Sequence, residues 1–202
     1  MPALEIPVLD ERIAPSPPYS ALIFDCDGTL ADTLTVHFQT WTAALQRFGA
    51  VLPKAWYYER TGLSAAELIQ AFNQSFGATI DQQEIEVERQ RHFPNLLHQV
   101  QEVKAVAAIA RANQGKVPMA VASNGQRSVV EQTIDAIKLR SLFKAIVTLE
   151  DVESGKPAPD LFLLAAKRMG VPPNECIVYE DSDAGLEAAR RAGMRWIDVR
   201  VL

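Results

Sequence analysis

Five short runs in this chain are apolar almost throughout rather than at alternate positions: residues 21–24, 119–122, 145–149, 176–179 and 196–199, with Thr148 and Asp198 the exceptions. Uniform apolarity over four or five residues marks parallel strands whose two faces are both covered by helices. Between the runs lie segments with helical spacing. Residues 103–111 precede the second run. Residues 126–137 follow it, with Val129, Val130, Thr133, Ile134 and Ile137 on one stripe. Residues 159–169 place Phe162, Leu163, Ala166 and Met169 on one face and stop at Gly170. Residues 184–192 start after Ser182-Asp183, both good helix-capping residues, and end at Gly193. Strand and helix in alternation predict an α/β protein, a Rossmann-like, doubly wound parallel sheet.

The alternation breaks between Thr33 and Gln101, where no strand is expected and three helices are. Residues 36–48 carry Phe38, Trp41, Leu45 and Phe48 at helical spacing before Gly49. Residues 64–76 open with the capping box Ser64…Glu67 and stop at Gly77. Residues 81–98 form the third, expected to break near Pro94. A crossover between parallel strands needs only about a dozen residues. Residues 34–101 are therefore expected to be an inserted α-helical cap domain in a core made of 19–33 and 102–202. Residues 1–18, with five prolines, are expected to be an extended N-terminal arm, either packed on the core or unstructured.

Composition adds mainly exclusions. A net charge of −5 argues against a general surface for nucleic acid or anionic membrane. No apolar run approaches the ~20 residues of a membrane span. The first residues lack the basic and apolar regions of a secretory signal. Cys26 and Cys176 fall in or beside predicted strands and read as small buried hydrophobes in a reducing compartment. The expected location is the cytoplasm, and the expected state a monomer or weak dimer.

The chemistry concentrates at one edge. Ligands of open parallel sheets bind beyond the carboxyl ends of the strands. There the chain places Asp25 and Asp27, then Ser123 and Asn124, then Lys156 in a loop, then Glu180 and Asp181. Two carboxylates at i and i+2 after a buried strand repel each other unless one is protonated or a cation lies between them. One attacking carboxylate, one proton-handling carboxylate and a hard divalent metal would resolve that conflict. Thr29 reads as a turn residue or a phosphate-side hydroxyl, Asp32 as a structural acid and Asp183 as a helix cap.

In this order, Asp25-Cys26-Asp27-Gly28-Thr29, Ser123-Asn124, Gly155-Lys156-Pro157-Ala158-Pro159-Asp160 and Glu180-Asp181-Ser182-x-x-Gly185 resemble the haloacid dehalogenase-like hydrolase superfamily. The resemblance covers residues 19–202. It implies Asp25 as the nucleophile, forming an aspartyl-phosphate. Asp27 becomes the general acid and base. It implies Mg²⁺ held by Asp25, the Asp27 backbone carbonyl and Asp181, with Glu180 acting through water. Ser123 and the Asn124 amide would hold phosphoryl oxygens, and Lys156 would balance their charge.

The superfamily's dehalogenases lack an acid at the position of Asp27, so the resemblance implies phosphoryl transfer from a small-molecule phosphate ester. The insert is similar to the cap of the β-phosphoglucomutase-like group. His37 matches, by its offset from Asp25, a histidine that the mutases use. The loop from Arg60 to Ala65 corresponds to their specificity loop. The mutases carry a lysine just before its glycine and an arginine three residues after it, where this chain has Thr61 and Ala65. His37, Arg60 and Thr61 are accordingly the candidate substrate-binding residues of the cap. The second half is most similar to phosphatases of fructose 1-phosphate and 6-phosphogluconate. The expected activity is Mg²⁺-dependent hydrolysis of small phosphorylated sugars or sugar acids; the alternatives are a phosphosugar mutase and a non-catalytic binding module on the same fold.

Overall fold

In the computed structural model, residues 9–202 are described; the part of the predicted arm at 1–8 lies outside them. In chain order the elements are β1 (Ala21–Phe24), β2 (Ala31–Asp32), the helices α1 (Leu34–Arg47), α2 (Lys54–Tyr58), α3 (Ala65–Phe76) and α4 (Gln82–Leu96), then β3 (Gln101–Glu102) and α5 (Lys104–Asn113). They continue with β4 (Met119–Ala122), α6 (Arg127–Ala136), β5 (Ala145–Val147), α7 (Asp160–Met169), β6 (Cys176–Glu180), α8 (Asp183–Arg191) and β7 (Arg195–Asp198). Contacts divide the chain into two compact units, 1–32 with 101–202, and Thr33–Val100.

The first unit is built on a parallel sheet of order β5-β4-β1-β6-β7. β1 lies at its centre, with Leu22 opposite Met119 on one side and Ile177 on the other. Every residue of β1, β4 and β6 is buried, as their apolar runs require; Glu180, the last residue of β6, is the one charged exception. Ala21, Ile23, Ala120 and Val178 join Phe162 and Ala165 of α7 and Ala188 and Ala189 of α8 in one core layer. Alternation sends Phe24 and Tyr179 to the opposite face, where their rings stack at 4.8 Å. There Tyr179 Oη donates to the carbonyl of Ile13, a fully buried residue of the arm (2.9 Å). Arg195 reaches the carbonyls of Ser16 and Pro18. The arm from residue 9 onward is therefore packed on the core.

Several expected boundaries move. β5 stops at Val147 because Thr148 leaves the sheet to cap a 3-10 turn, Leu149–Asp151. β7 runs from Arg195 to Asp198, and Asp198 then caps the turn that follows. β2 and β3 form an antiparallel two-residue ribbon, too short to leave a periodic signal.

The second unit is helical. α1 packs on α4, and Trp41, Leu45, Leu52, Tyr57, Ile69, Phe72 and Ile85 form its core. The Ser64 capping box is present, with Ser64 N–H donating to Glu67 at 2.8 Å. Two readings need correction. Five-residue α2 was not expected from the pattern. α4 does not break at Pro94; it carries the proline and ends at Leu96, with Phe93 buried in the same turn. A proline so close to the end of a helix removes one hydrogen bond and leaves little helix to bend.

Candidate active site

β1 ends where Asp25 N–H donates to Tyr179 O at 3.0 Å, so the sheet ladder fixes the backbone under Asp25. The chain then folds back tightly. Leu30 and Ala31 both donate to Cys26 O, and Gly28 donates to Ala31 O at 2.8 Å. Gly28 has φ +84°, and a Cβ there would lie 2.1 Å from Asp181 Oδ2. Only glycine allows both that turn and the close approach of Asp181.

Lys156 Nζ bridges two carboxylates, Asp25 Oδ1 at 2.5 Å and Glu180 Oε2 at 2.7 Å. The three side chains are 4%, 9% and 1% exposed, so these charges meet in a site nearly closed to water. The Phe162 ring lies 5.0 Å below the ammonium. Burial opposes the charge on Lys156, but Asp25 and Glu180 outweigh it and hold the ammonium protonated. Burial and then Glu180 push the Asp25 carboxyl up, against the pull of Lys156. Burial and Glu180 likewise push Asp181 up to about 7.

Two of the expected site residues also bond within the protein. Glu180, expected to reach a metal through water, has its carboxylate fully engaged. Oε1 accepts from Asp181 N–H, Ser182 N–H and Ser182 Oγ at 3.0, 3.0 and 2.8 Å, while Oε2 takes Lys156. A Cβ on Gly185 would lie 1.9 Å from Glu180 Oε2, so the carboxylate occupies the space that glycine leaves. Glu180 is thus an anchor for Lys156 and for its own loop. Thr29, expected among the phosphate-binding residues, is fully buried and donates to Asp181 Oδ1 at 3.2 Å. It orients a carboxylate.

Ser123 is buried after β4, and its Oγ accepts from Gly125 N–H at 3.0 Å. A Cβ on Gly125 would stand 3.2 Å from Ser123 Oγ and 3.7 Å from Asp27 Oδ2, so the Asp27 carboxylate lies beside this loop. Asn124 turns its side chain onto the Lys156 backbone. Asp25, Asp27, Ser123, Asn124, Lys156, Glu180 and Asp181 therefore converge at the carboxyl ends of the strands. Asp183, read as a cap, is instead the first residue of α8; Ser182 is the cap.

Carboxylate oxygens of Asp25, Glu180 and Asp181 lie within 4.8 Å of one another. Lys156 pairs with Asp25 and Glu180, so one positive charge stands among three carboxylates. An all-oxygen set of this kind fits a hard divalent cation such as Mg²⁺.

The helical unit holds the other three candidates. His37 on α1 stacks on Phe93 with ring centroids 5.7 Å apart. The Arg60 guanidinium lies 4.3 Å over the Trp56 ring and donates to Trp56 O at 3.0 Å. Thr61 Oγ1 donates to Tyr58 O at 3.3 Å. Both loop side chains thus turn back onto α2. The sequence reading missed Phe162 beneath Lys156, although its place in the helix after the lysine loop is a usable signal. It also missed the Arg127–Asp151–Arg168 network behind the site.

A buried carboxylate-lysine cluster at the carboxyl edge of a parallel α/β sheet is a candidate centre for chemistry on an aspartate. Residues 22–199 match the model of the haloacid dehalogenase-like hydrolase family. The chain belongs to that family. It is 35% identical over 184 residues to the fructose-1-phosphate phosphatase YqaB of Escherichia coli, covering 91% of this chain and 98% of that one. It is 28% identical over 181 residues to a phosphorylated carbohydrates phosphatase of Thermotoga maritima (88% and 83% covered). Among solved structures, CbbY from Rhodobacter sphaeroides in complex with phosphate superposes with a TM-score of 0.80 at 27% identity (89% and 85% covered). Among the described residues no helix is long and apolar enough to cross a membrane.

Proposed function

We propose that this protein is a Mg²⁺-dependent phosphatase of small phosphorylated sugars, working through an aspartyl-phosphate on Asp25. The observation that carries the reading is the Lys156 bridge to Asp25, with Asp27 and Asp181 beside it. An Asp25 oxygen attacks phosphorus while Asp27, protonated, gives its proton to the leaving alcohol oxygen as the P–O bond breaks. Asp27, now a carboxylate, takes a proton from water as that water attacks the aspartyl-phosphate. Inorganic phosphate leaves and both acids return to their starting states. Ser123 and the Asn124 main-chain amide hold phosphoryl oxygens, and Lys156 balances their charge. Asp25, Asp181 and the Asp27 carbonyl would hold Mg²⁺, with Glu180 behind them. Bound there, the ion supplies positive charge against the carboxylates and the phosphoryl oxygens.

Fructose 1-phosphate is the first substrate to test, since a relative aligned over nearly its whole length carries that name. Hydrolysis is favoured over a mutase reaction by the specificity loop. Thr61 and Ala65 supply no cation, and Arg60 is bound to α2. The test is phosphate release from a panel of sugar phosphates with Mg²⁺ and with EDTA. Asp25→Asn is expected to abolish release while circular dichroism stays unchanged. Full activity in that variant overturns the mechanism. Conversion of β-glucose 1-phosphate that depends on glucose 1,6-bisphosphate and outruns hydrolysis overturns the phosphatase reading in favour of a mutase.

A further inference from the structure

The Asn124 side chain makes two bonds of opposite sense to one residue 32 positions away. Its Oδ1 accepts from Lys156 N–H at 2.8 Å, and its Nδ2 donates to Lys156 O at 3.2 Å. The family role expected of this position uses the main-chain amide, which the side chain leaves free. We infer that the Asn124 carboxamide is a positioning device that sets where Lys156 stands, and so ties the phosphate-side loop to the cation; this rests on the phosphatase reading above.

Three observations converge on it. First, both backbone groups of Lys156 bond to Asn124, so the peptide from which the lysine side chain departs is gripped on both sides. Second, the preceding residue is shaped for the clamp. A Cβ on Gly155 would lie 2.6 Å from Asn124 Oδ1 and 2.4 Å from Leu149 Cδ2, so only glycine leaves room for the carboxamide. Third, the lysine has little tolerance at its far end. Nζ must reach Asp25 at 2.5 Å and Glu180 at 2.7 Å with Phe162 beneath it. A backbone shift of about an ångström lengthens or misaligns the two bonds of an ammonium held between two carboxylates. Misplacement on that scale can cost about 100-fold in rate. The loop carrying Asn124 also carries Ser123, whose Oγ accepts from Gly125 N–H. One carboxamide therefore registers the phosphoryl-holding loop against the charge that balances the phosphoryl group.

The test is a double-mutant cycle. Asn124→Ala keeps the main-chain amide and removes the clamp. Alone, it is expected to lower kcat about 10- to 100-fold, with a thermal midpoint near that of the parent. In a Lys156→Met background, where no ammonium remains to be placed, it should add less than about 2-fold. A purely structural role for Asn124 predicts the same factor in both backgrounds, and that result overturns the inference. Hydrogen exchange at the Lys156 amide reads the clamp without activity. It should accelerate at least about 10-fold in Asn124→Ala, and also in Gly155→Ala, where the added methyl evicts the carboxamide. Unchanged exchange in both variants overturns the clamp. Should the parent release no phosphate from any sugar phosphate, the phosphatase reading falls alone, and the exchange result still decides the clamp.

Discussion

Asp151 lies behind the site, and replacing it by asparagine is expected to weaken the fold without touching a reacting atom. Its Oδ2 accepts from Thr148 N–H at 2.9 Å and Arg127 Nη2 at 2.5 Å, and its Oδ1 accepts from Arg168 Nη2 at 2.6 Å. One carboxylate thus joins the loop after β5 to the start of α6 and the end of α7. Burial raises its pKa, but the bonds from Arg168, Thr148 and Arg127 outweigh burial and bring it down from 3.8 to about 2. That drop corresponds to about 2.4 kcal/mol in favour of the folded, ionised form. Arg127 and Arg168 keep 38% and 36% of their side chains in water, which screens both pairs. The loss expected for Asp151→Asn at pH 7 is therefore about 1–2 kcal/mol, or a fall in Tm of about 3–6 °C for a domain of this size.

The pH dependence separates this cause from generic damage. A carboxyl whose folded pKa lies below its unfolded one stabilises the fold above the unfolded value. That contribution fades as pH falls through the folded value. The gap between parent and variant should be constant from pH 7 to 5, shrink below about 3.8 and be lost only below about 2. Urea unfolding at several pH values measures it. With Trp41 and Trp56 replaced by Phe, fluorescence comes from Trp196 and reports the sheet-containing unit alone. A gap below about 0.5 kcal/mol at pH 7, or one unchanged at pH 3, refutes the reasoning.

Further outcomes follow from the same geometry. Gly185→Ala places a Cβ 1.9 Å from Glu180 Oε2; it should cost about 1–3 kcal/mol in urea unfolding and lower phosphate release by shifting the partner of Lys156. Parent-like stability and activity would show that the carboxylate can move aside. Tyr179→Phe removes the bond to Ile13 O; a loss of about 1 kcal/mol and faster tryptic cleavage after Arg12 are expected, and an unchanged cleavage rate counts against the packed arm. EDTA should abolish phosphate release and Mg²⁺ restore it, whereas Ca²⁺, which takes more ligands at longer distances, should not; activity that survives EDTA sinks the metal dependence.

Much of this molecule is written in short-range patterns. Runs such as 21–24 and 119–122 are legible as strands because a fully covered strand must be apolar at every position. The site is legible because the ends of β1, β4 and β6 and the loop after β5 bring Asp25, Ser123, Glu180 and Lys156 to one edge once the sheet is known to be parallel. What the pattern could not carry is side-chain direction. Thr29 could face a phosphate or a carboxylate, and only the approach of Asp181 over Gly28 decides it. Asn124 was read through its main chain, because nothing in the spacing says that a carboxamide meets a peptide 32 residues later. Elements of two residues, such as β2 and β3, and of five, such as α2, are shorter than the stretches over which strand and helix periodicity can be recognised.

The glycines explain how so much like charge is held at one edge. Gly28 and Gly185 are the spaces into which Asp181 and Glu180 fit, and Gly155 is the space for Asn124. The close approach lets Glu180 Oε1 accept from the Asp181 and Ser182 main-chain N–H groups and the Ser182 hydroxyl, and lets the Asn124 carboxamide meet the Lys156 main chain. Lys156 then brings a single positive charge between the two carboxylates of Asp25 and Glu180. Asp181, fixed by Thr29 and pushed up to about 7 by burial and Glu180, is left without a cation of its own. Ionising Asp25, Glu180 and Asp181 together beside one lysine therefore works against the stability of the scaffold. A divalent ion beside Asp25 and Asp181 removes that repulsion, and whatever free energy its binding releases adds to the stability of the fold.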